Sequence, residues 1–515
     1  MTDPLVHRFP PSHQAGRRPR RRRAATLMAA LGAAGALLLA ACGQSNAEPA
    51  AAPAPAPEPA APAPQPPTAA PEPPPAPEPL PLASEPPPAP EPPPPAPEPP
   101  PPEPLPPAPE PAQEPDDSAT TEEPEPTAVR TEAGSSTEGG GTTEQAIYDA
   151  PGALEVPQPL PPGEPGDIID IEELDVGEDY IAYRVLYHSR SRRGDDIAVS
   201  GFVATPTGQP PAGGWPLIAF AHGTTGTADA CAPSHTAEEE IAFRGPYLEG
   251  YAVTATDYEG LGTPGLHPYI VGASEARSVL DSVRAAHNLA SMLGTDGMPR
   301  ISVSDEFVVW GHSQGGHAAL HTGQHWAAYA PELKLLGVAS GAPPSQFALL
   351  YDVLLGGPFQ GYLAMASAAF AAAYDEIELD QVYTDEAIAL MDVLETGCYR
   401  EVFDVFNPLS KEDLLKVASP LGVSPWDRVV IENDVSGAPV PVPLLILHGS
   451  DDEQIPALSS QILLGQLCVQ PGQGPTIRIE YPGHNHGSVI AAQRDDLLGW
   501  IAARFSGEEA PDTCA

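Results

Sequence analysis

Of the 71 prolines in this 515-residue chain, 35 fall between residues 49 and 115. Proline fixes its own φ, withholds a backbone N–H and pushes the residue before it into extended backbone. A stretch this dense can build neither a helix interior nor a central strand. Its Pro, Ala and Glu favour polyproline II, which rises about 3.1 Å per residue. Fully extended, the run would reach on the order of 200 Å, and its spaced glutamates repel one another and keep it open. Residues 116–165, rich in Thr, Gly, Ser and Glu, read as a flexible continuation. What can fold therefore begins near residue 166, leaving about 350 residues, enough for one large α/β domain with an insertion.

The chain ahead of the proline run reads as a targeting segment. Arg17, Arg18 and Arg20 to Arg23 form a basic cluster, followed by an apolar run over residues 24–41 that is too short and too rich in small residues to span a membrane. It ends Leu39-Ala40-Ala41-Cys42, which resembles the lipobox of bacterial lipoproteins. That resemblance implies cleavage before Cys42, lipidation of its thiol and a membrane anchor, with residues 1–41 as signal peptide and 42–165 as tether. The expected location is the cell envelope, lipid-anchored at the membrane or cell surface, with extracellular release as the alternative. Four further cysteines, Cys231, Cys398, Cys468 and Cys514, are an even number in an exported chain and point to two disulfides. Of the three pairings, Cys231–Cys398 with Cys468–Cys514 is preferred, because the second bond would pin the C-terminal tail.

The net charge is −45, and loss of residues 1–41 leaves 17 basic against 68 acidic side chains, a net −51. No basic patch lies beyond the N-terminus, so nucleic acid is excluded as a partner. No zinc-type Cys/His spacing and no phosphate loop occurs, and Gly-Leu-Gly at 260–262 is too short for a nucleotide fingerprint. No metal and no organic cofactor is expected.

From residue 180 the pattern alternates between strand and helix. Segments 180–187 and 197–204 read as two leading strands, and the apolar runs 216–221, 251–256, 307–310, 335–339, 441–447 and 477–481 as buried strands. Helices are expected over 238–248, 272–293, 313–329, 459–467 and 486–505. Residues 345–436, rich in Ala and Leu, interrupt the alternation as a mostly helical insertion. The expected architecture is a mainly parallel sheet with helices on both faces.

Gly311-His312-Ser313-Gln314-Gly315 is G-x-S-x-G, placed between an apolar strand and an Ala-rich helix. The glycines permit a strained turn that presents the Ser313 hydroxyl at its tip. A serine hydroxyl needs a base, and the base needs an orienting acid, in chain order Ser, Asp or Glu, His. The acid is expected just after a late strand, where Asp451 and Asp452 compete; Asp452 is preferred because Asp-x-x-Ile-Pro suits the loop. The base is expected between the last strand and last helix, where His486 is preferred over His484 because Gly487 follows it at the helix start. Charge developing on a carbonyl oxygen calls for two backbone N–H donors. One belongs to Gln314 and the other to the loop HGTTG at 222–226, assigned to Thr224 with Thr225 as the alternative. His222, His312 and His448 sit in motifs without a required chemical role.

HGTTGTADACAPS, TATDYEGLGTPGLHPYIVG, SEARSVLDSVRAA and VVWGHSQGG together resemble the secretory lipase family of α/β-hydrolases over about residues 175–507. The resemblance implies an α/β-hydrolase fold with residues 345–436 as a cap over the acyl site. It also implies triacylglycerol lipase or carboxylesterase activity, with Ser313, Asp452 and His486 as triad and a lipid or small-molecule ester as substrate. Two rival readings stand beside it: a peptidase or acyltransferase on the same triad, and an inactive surface binding protein that keeps the fold.

Overall fold

Among the described residues nine strands form one sheet, antiparallel along one edge and parallel through the rest. The computed structural model describes residues 153–244, 249–293 and 301–514. These belong to the unit Ala128–Ala515; the unit Met1–Thr127 lies outside the described residues, as do the expected signal peptide, Cys42 and the proline run.

Strands β1 (Ile168–Leu174), β2 (Tyr180–Arg190) and β3 (Asp196–Pro206) form an antiparallel meander, and β3 pairs antiparallel with β5 (Ala252–Thr256). The rest is parallel: β4 (Trp215–Ala221) lies between β5 and β6 (Val303–His312), followed by β7 (Lys334–Gly341), β8 (Leu444–Gly449) and β9 (Thr476–Tyr481). The central strands are apolar without alternation because both faces are covered. On one face Leu217, Val309 and Ile446 pack with residues of helices Gly272–Leu293, Gln314–Tyr329 and Ala457–Leu467. On the other, Ile218, Val308 and Leu445 pack with helices Ala237–Arg244 and Arg494–Phe505.

The insertion between β7 and β8 is a run of short helices with a core of its own, the longest being Gly361–Ala373. Cys231 is bonded to Cys398 and Cys468 to Cys514. The first bond fastens the insertion to the loop after β4; the second holds the tail, whose Thr513 N–H also donates to the Thr476 carbonyl at 2.8 Å. Closing these loops constrains the unfolded chain by about 5 and about 4 kcal/mol respectively.

Three features differ from the sequence expectations. Residues 153–165, assigned to the tether, lie against the domain: Val156 is buried with Leu186 and Ala198, and Gly163 bonds through its N–H to Asp196 and through its carbonyl to Arg190. Strand β1 was not expected, because its Asp170, Glu172 and Glu173 continue the acidic composition of the preceding segment. On an edge strand, charge of this kind guards against pairing with other chains. The final helix is split into Val489–Ala492 and Arg494–Phe505.

Candidate active site

Four loops at the carboxyl ends of β4, β6, β8 and β9 carry the polar groups of interest, the edge at which open α/β sheets bind ligands. β6 leads directly into Ser313, which adopts φ 60° and ψ −124° before helix Gln314–Tyr329 begins. A non-glycine residue held there costs about 1–3 kcal/mol and persists only where its surroundings over-determine it. Those surroundings are the flanking glycines: a Cβ on Gly311 would sit 2.2 Å from the Gly315 carbonyl oxygen, and one on Gly315 would sit 2.0 Å from that of Ala221. The Ser313 N–H donates to the Gly341 carbonyl at 2.9 Å, tying the turn to β7. The turn therefore sits at the positive end of a 16-residue helix.

After β8, Asp452 is buried, while Asp451 is exposed and bonded to Ser450. Asp452 Oδ2 lies 2.7 Å from His486 Nδ1 and 3.3 Å from His448 Nε2, and Oδ1 accepts the N–H groups of Gln454 and Ile455 at 2.9 and 2.8 Å. Burial alone would raise the Asp452 pKa. The hydrogen bonds from His448, His486 and the Ile455 backbone outweigh it and hold the carboxylate well below its ordinary range. The neighbouring His484 bonds through its carbonyl to the Asp451 N–H at 3.0 Å and takes no part in the Asp452 cluster.

His312, beside Ser313, packs its ring on that of His486 and contacts the His486 carbonyl through Nε2 at 2.9 Å. This fastens the His486 loop to the turn that carries Ser313. Together these contacts bring Asp452 and His486 to the Ser313 turn and leave Asp451 and His484 outside the cluster.

The loop at 222–226 lies against the same turn: a Cβ on Gly223 would be 3.7 Å from that of Ser313. Thr224 Oγ1 is 2.9 Å from the Tyr269 hydroxyl. The Thr225 carbonyl accepts the Tyr399 N–H, and Gly226 bridges Cys398, so the loop is anchored to the insertion by backbone as well as by disulfide. The Gln314 side chain is buried among His267 and Glu275.

A cavity lined in part by Ser313 opens into the insertion. Tyr269, Leu350, Tyr362, Ala366, Phe370 and Trp426 line it, almost all through apolar atoms. Residues 349–374 both line this cavity and build the insertion's core: Leu363 faces the cavity, and Ala364 and Met365 are buried in the core. Among the described residues no group of three or more His, Cys, Asp or Glu is placed to hold a metal ion.

Sequence reasoning did not assign His448, Tyr269, His267, Glu275 or His317 to the site. His448 had a signal, sitting beside the acidic turn at the end of β8. His317 lies only one helical turn after Ser313, but His267, Tyr269 and Glu275 are distant from it in sequence and meet it where helix Gly272–Leu293 packs on helix Gln314–Tyr329.

The family profile described as "Secretory lipase" matches residues 229–513. Secreted triacylglycerol lipase LIP4 of Malassezia globosa is 25% identical over 322 residues, covering 58% of this chain and 67% of its own. A "Probable inactive lipase" of Mycobacterium tuberculosis is 23% identical over 360 residues, covering 64% and 75%. Candida antarctica lipase A in its closed state superposes with a TM-score of 0.59 at 20% identity, covering 70% of this chain and 89% of that one. The last comparison carries the fold, an α/β-hydrolase with a cap.

Proposed function

This chain belongs to the secretory lipase family, and on that premise we propose that it cleaves lipid esters, triacylglycerols among them, by way of an acyl-enzyme on Ser313. The observation that carries this reading is the 2.7 Å contact between Asp452 and His486, on a loop that His312 fastens to the Ser313 turn.

Ser313 Oγ attacks the ester carbonyl while His486 Nε2 takes its proton. Asp452 holds Nδ1–H, fixing the tautomer and stabilising the imidazolium. The tetrahedral oxyanion is held by the N–H groups of Thr224 and Gln314. Collapse expels the alcohol, which takes the proton from His486. Water, deprotonated by the same imidazole, then adds to the acyl-enzyme and releases the carboxylic acid and Ser313. The cavity receives the acyl chain, and its apolar lining favours a lipid over a peptide. The intact Asp452–His486 pair favours catalysis over binding alone, because a binding protein has no use for an oriented imidazole.

The LIP4 relative is a secreted enzyme by name. Export with lipidation at Cys42 and a polyproline tether would hold this domain away from a membrane.

The test is hydrolysis of p-nitrophenyl esters from short to long acyl chains by the whole chain and by Ser313→Ala. Activity should fall at least about 10³-fold in the variant; equal rates in both would remove Ser313 as nucleophile. Cys42→Ser should release the protein from membranes, and unchanged membrane association would sink the anchor.

A further inference from the structure

Glu275, in the first turn of helix Gly272–Leu293, is completely buried. Its Oε1 lies 3.1 Å from Gln314 Nε2 and accepts the Ile270 N–H at 3.3 Å, while Oε2 lies 2.6 Å from His317 Nδ1. His317 Nε2 in turn contacts the Asn433 carbonyl at 2.8 Å, at the foot of the insertion.

Two segments converge on this carboxyl group, and each leads to one of the proposed oxyanion donors. The first is direct. Burial lowers the pKa of His267 to about 4, so its ring is neutral near pH 7. Its Nδ1–H donates to the Glu259 carbonyl at 2.8 Å, which leaves Nε2 to accept from Gln314 Nε2 at 2.9 Å. Both hydrogens of the Gln314 amide are thus committed, one to His267 and one to Glu275, which holds the side chain of the residue after Ser313 in one orientation. The second runs through residues 269 and 270. Ile270, a β-branched residue, is held at φ 59° while its N–H points to Glu275. This fixes the adjacent Tyr269, whose hydroxyl bonds Thr224 Oγ1 at 2.9 Å.

An oxyanion hole works when its donors stand in place before the charge develops. A buried carboxyl group is a costly way to fill space, since apolar residues of similar volume pack there more cheaply. We infer that Glu275 is a positioning residue that sets the separation of the Thr224 and Gln314 donors, acting on Gln314 directly and on Thr224 through Tyr269. The inference rests on the reading of Ser313 as nucleophile.

The test uses the whole chain as wild type, Glu275→Leu, Tyr269→Phe, the double variant and Ser313→Ala. It measures kcat and KM for a p-nitrophenyl ester and the inhibition constant of a reversible alkylboronic acid. In the boronate adduct, Ser313 Oγ bonds to trigonal boron as its proton passes to His486, and a boron-bound oxygen enters the oxyanion hole. Glu275→Leu and Tyr269→Phe should each lower kcat by about ten- to a hundredfold, the loss expected of donors displaced rather than deleted. The boronate constant should rise in parallel, with KM little changed. The double variant should be no worse than Glu275→Leu, because the second change lies on the same route. Tyr269→Phe is nearly isosteric and decides the matter if Glu275→Leu does not fold. A folded Tyr269→Phe with wild-type kcat and boronate affinity would overturn the inference, as would losses confined to KM. Ser313→Ala with wild-type activity would instead overturn the serine mechanism beneath it.

Discussion

The imidazole of His312 lies against that of His486, ring centroids 4.7 Å apart, and its Nε2 reaches the His486 carbonyl at 2.9 Å. Burial, reinforced by the neighbouring His486, pushes the His312 pKa down to about 3. The ring is therefore neutral near pH 7, with its single N–H on the nitrogen that faces the carbonyl, since a carbonyl can only accept. On the proposed mechanism a neutral neighbour matters, because a second cation there would repel the imidazolium that His486 would become in the transition state. His312→Phe keeps a ring but loses the donor. It should lower kcat by about tenfold with KM little changed. A folded variant with wild-type kcat would show that the loop needs no such fastening.

The two candidate acids and two candidate bases separate cleanly. Asp452→Asn should lower kcat by roughly 10⁴, because an amide no longer fixes the His486 tautomer, whereas Asp451→Asn should leave it near wild type. His486→Asn should be inactive and His484→Asn active. Esterase assays on the four variants check this, and inactivity in Asp451→Asn with activity in Asp452→Asn would reverse the assignment.

Ala366 lines the cavity from helix Gly361–Ala373. On the proposed reading, a phenyl ring at this position would fill space that a long acyl chain uses and a short one does not. Ala366→Phe should lower kcat/KM for a dodecanoyl ester by at least about tenfold while changing that for a butanoyl ester by less than about threefold. Equal losses for both esters would place the acyl chain elsewhere.

How legible all this was depends on the range of the interaction. Gly311, Ser313 and Gly315 could be read because a strained strand-to-helix turn leaves a local pattern. Helix Gly272–Leu293 fell where its apolar spacing placed it, since Val279, Val283, Ala286 and Leu289 form one buried stripe. Asp452 could be preferred over Asp451 from the Asp-x-x-Ile-Pro spacing, because that short loop folds back on its own carboxylate, whose Oδ1 accepts the Gln454 and Ile455 N–H groups. Glu275, by contrast, was invisible as a site residue. A glutamate in the first turn of a helix ordinarily faces water and favours the helix dipole, and only the packing of three segments around it removes that option. The docked segment 153–165 was hidden by composition, since a few apolar anchors such as Val156 suffice to hold a proline-rich strap to a folded surface.

Asp229 offers a test that does not depend on the catalytic reading. It follows the loop at 222–226 and lies two residues before Cys231. Burial raises its pKa from 3.8 to about 6, against the pull of the Gly262 and Thr263 N–H groups it accepts. Between about pH 3.8 and 6 the folded chain therefore holds more protons on this group than the unfolded chain, and its contribution to stability falls as pH rises through that window. Asp229→Asn has no such step. The variant should therefore gain on wild type between pH 4 and pH 7.5. Linkage alone gives at most about 3 kcal/mol, and partial exposure with solvent screening reduces this to about 1–2 kcal/mol. Urea unfolding of both proteins at the two pH values measures the difference directly, and titrations elsewhere in the chain cancel between variant and wild type. A stability difference that is the same at pH 4 and pH 7.5 would mean that Asp229 titrates as an ordinary surface carboxylate.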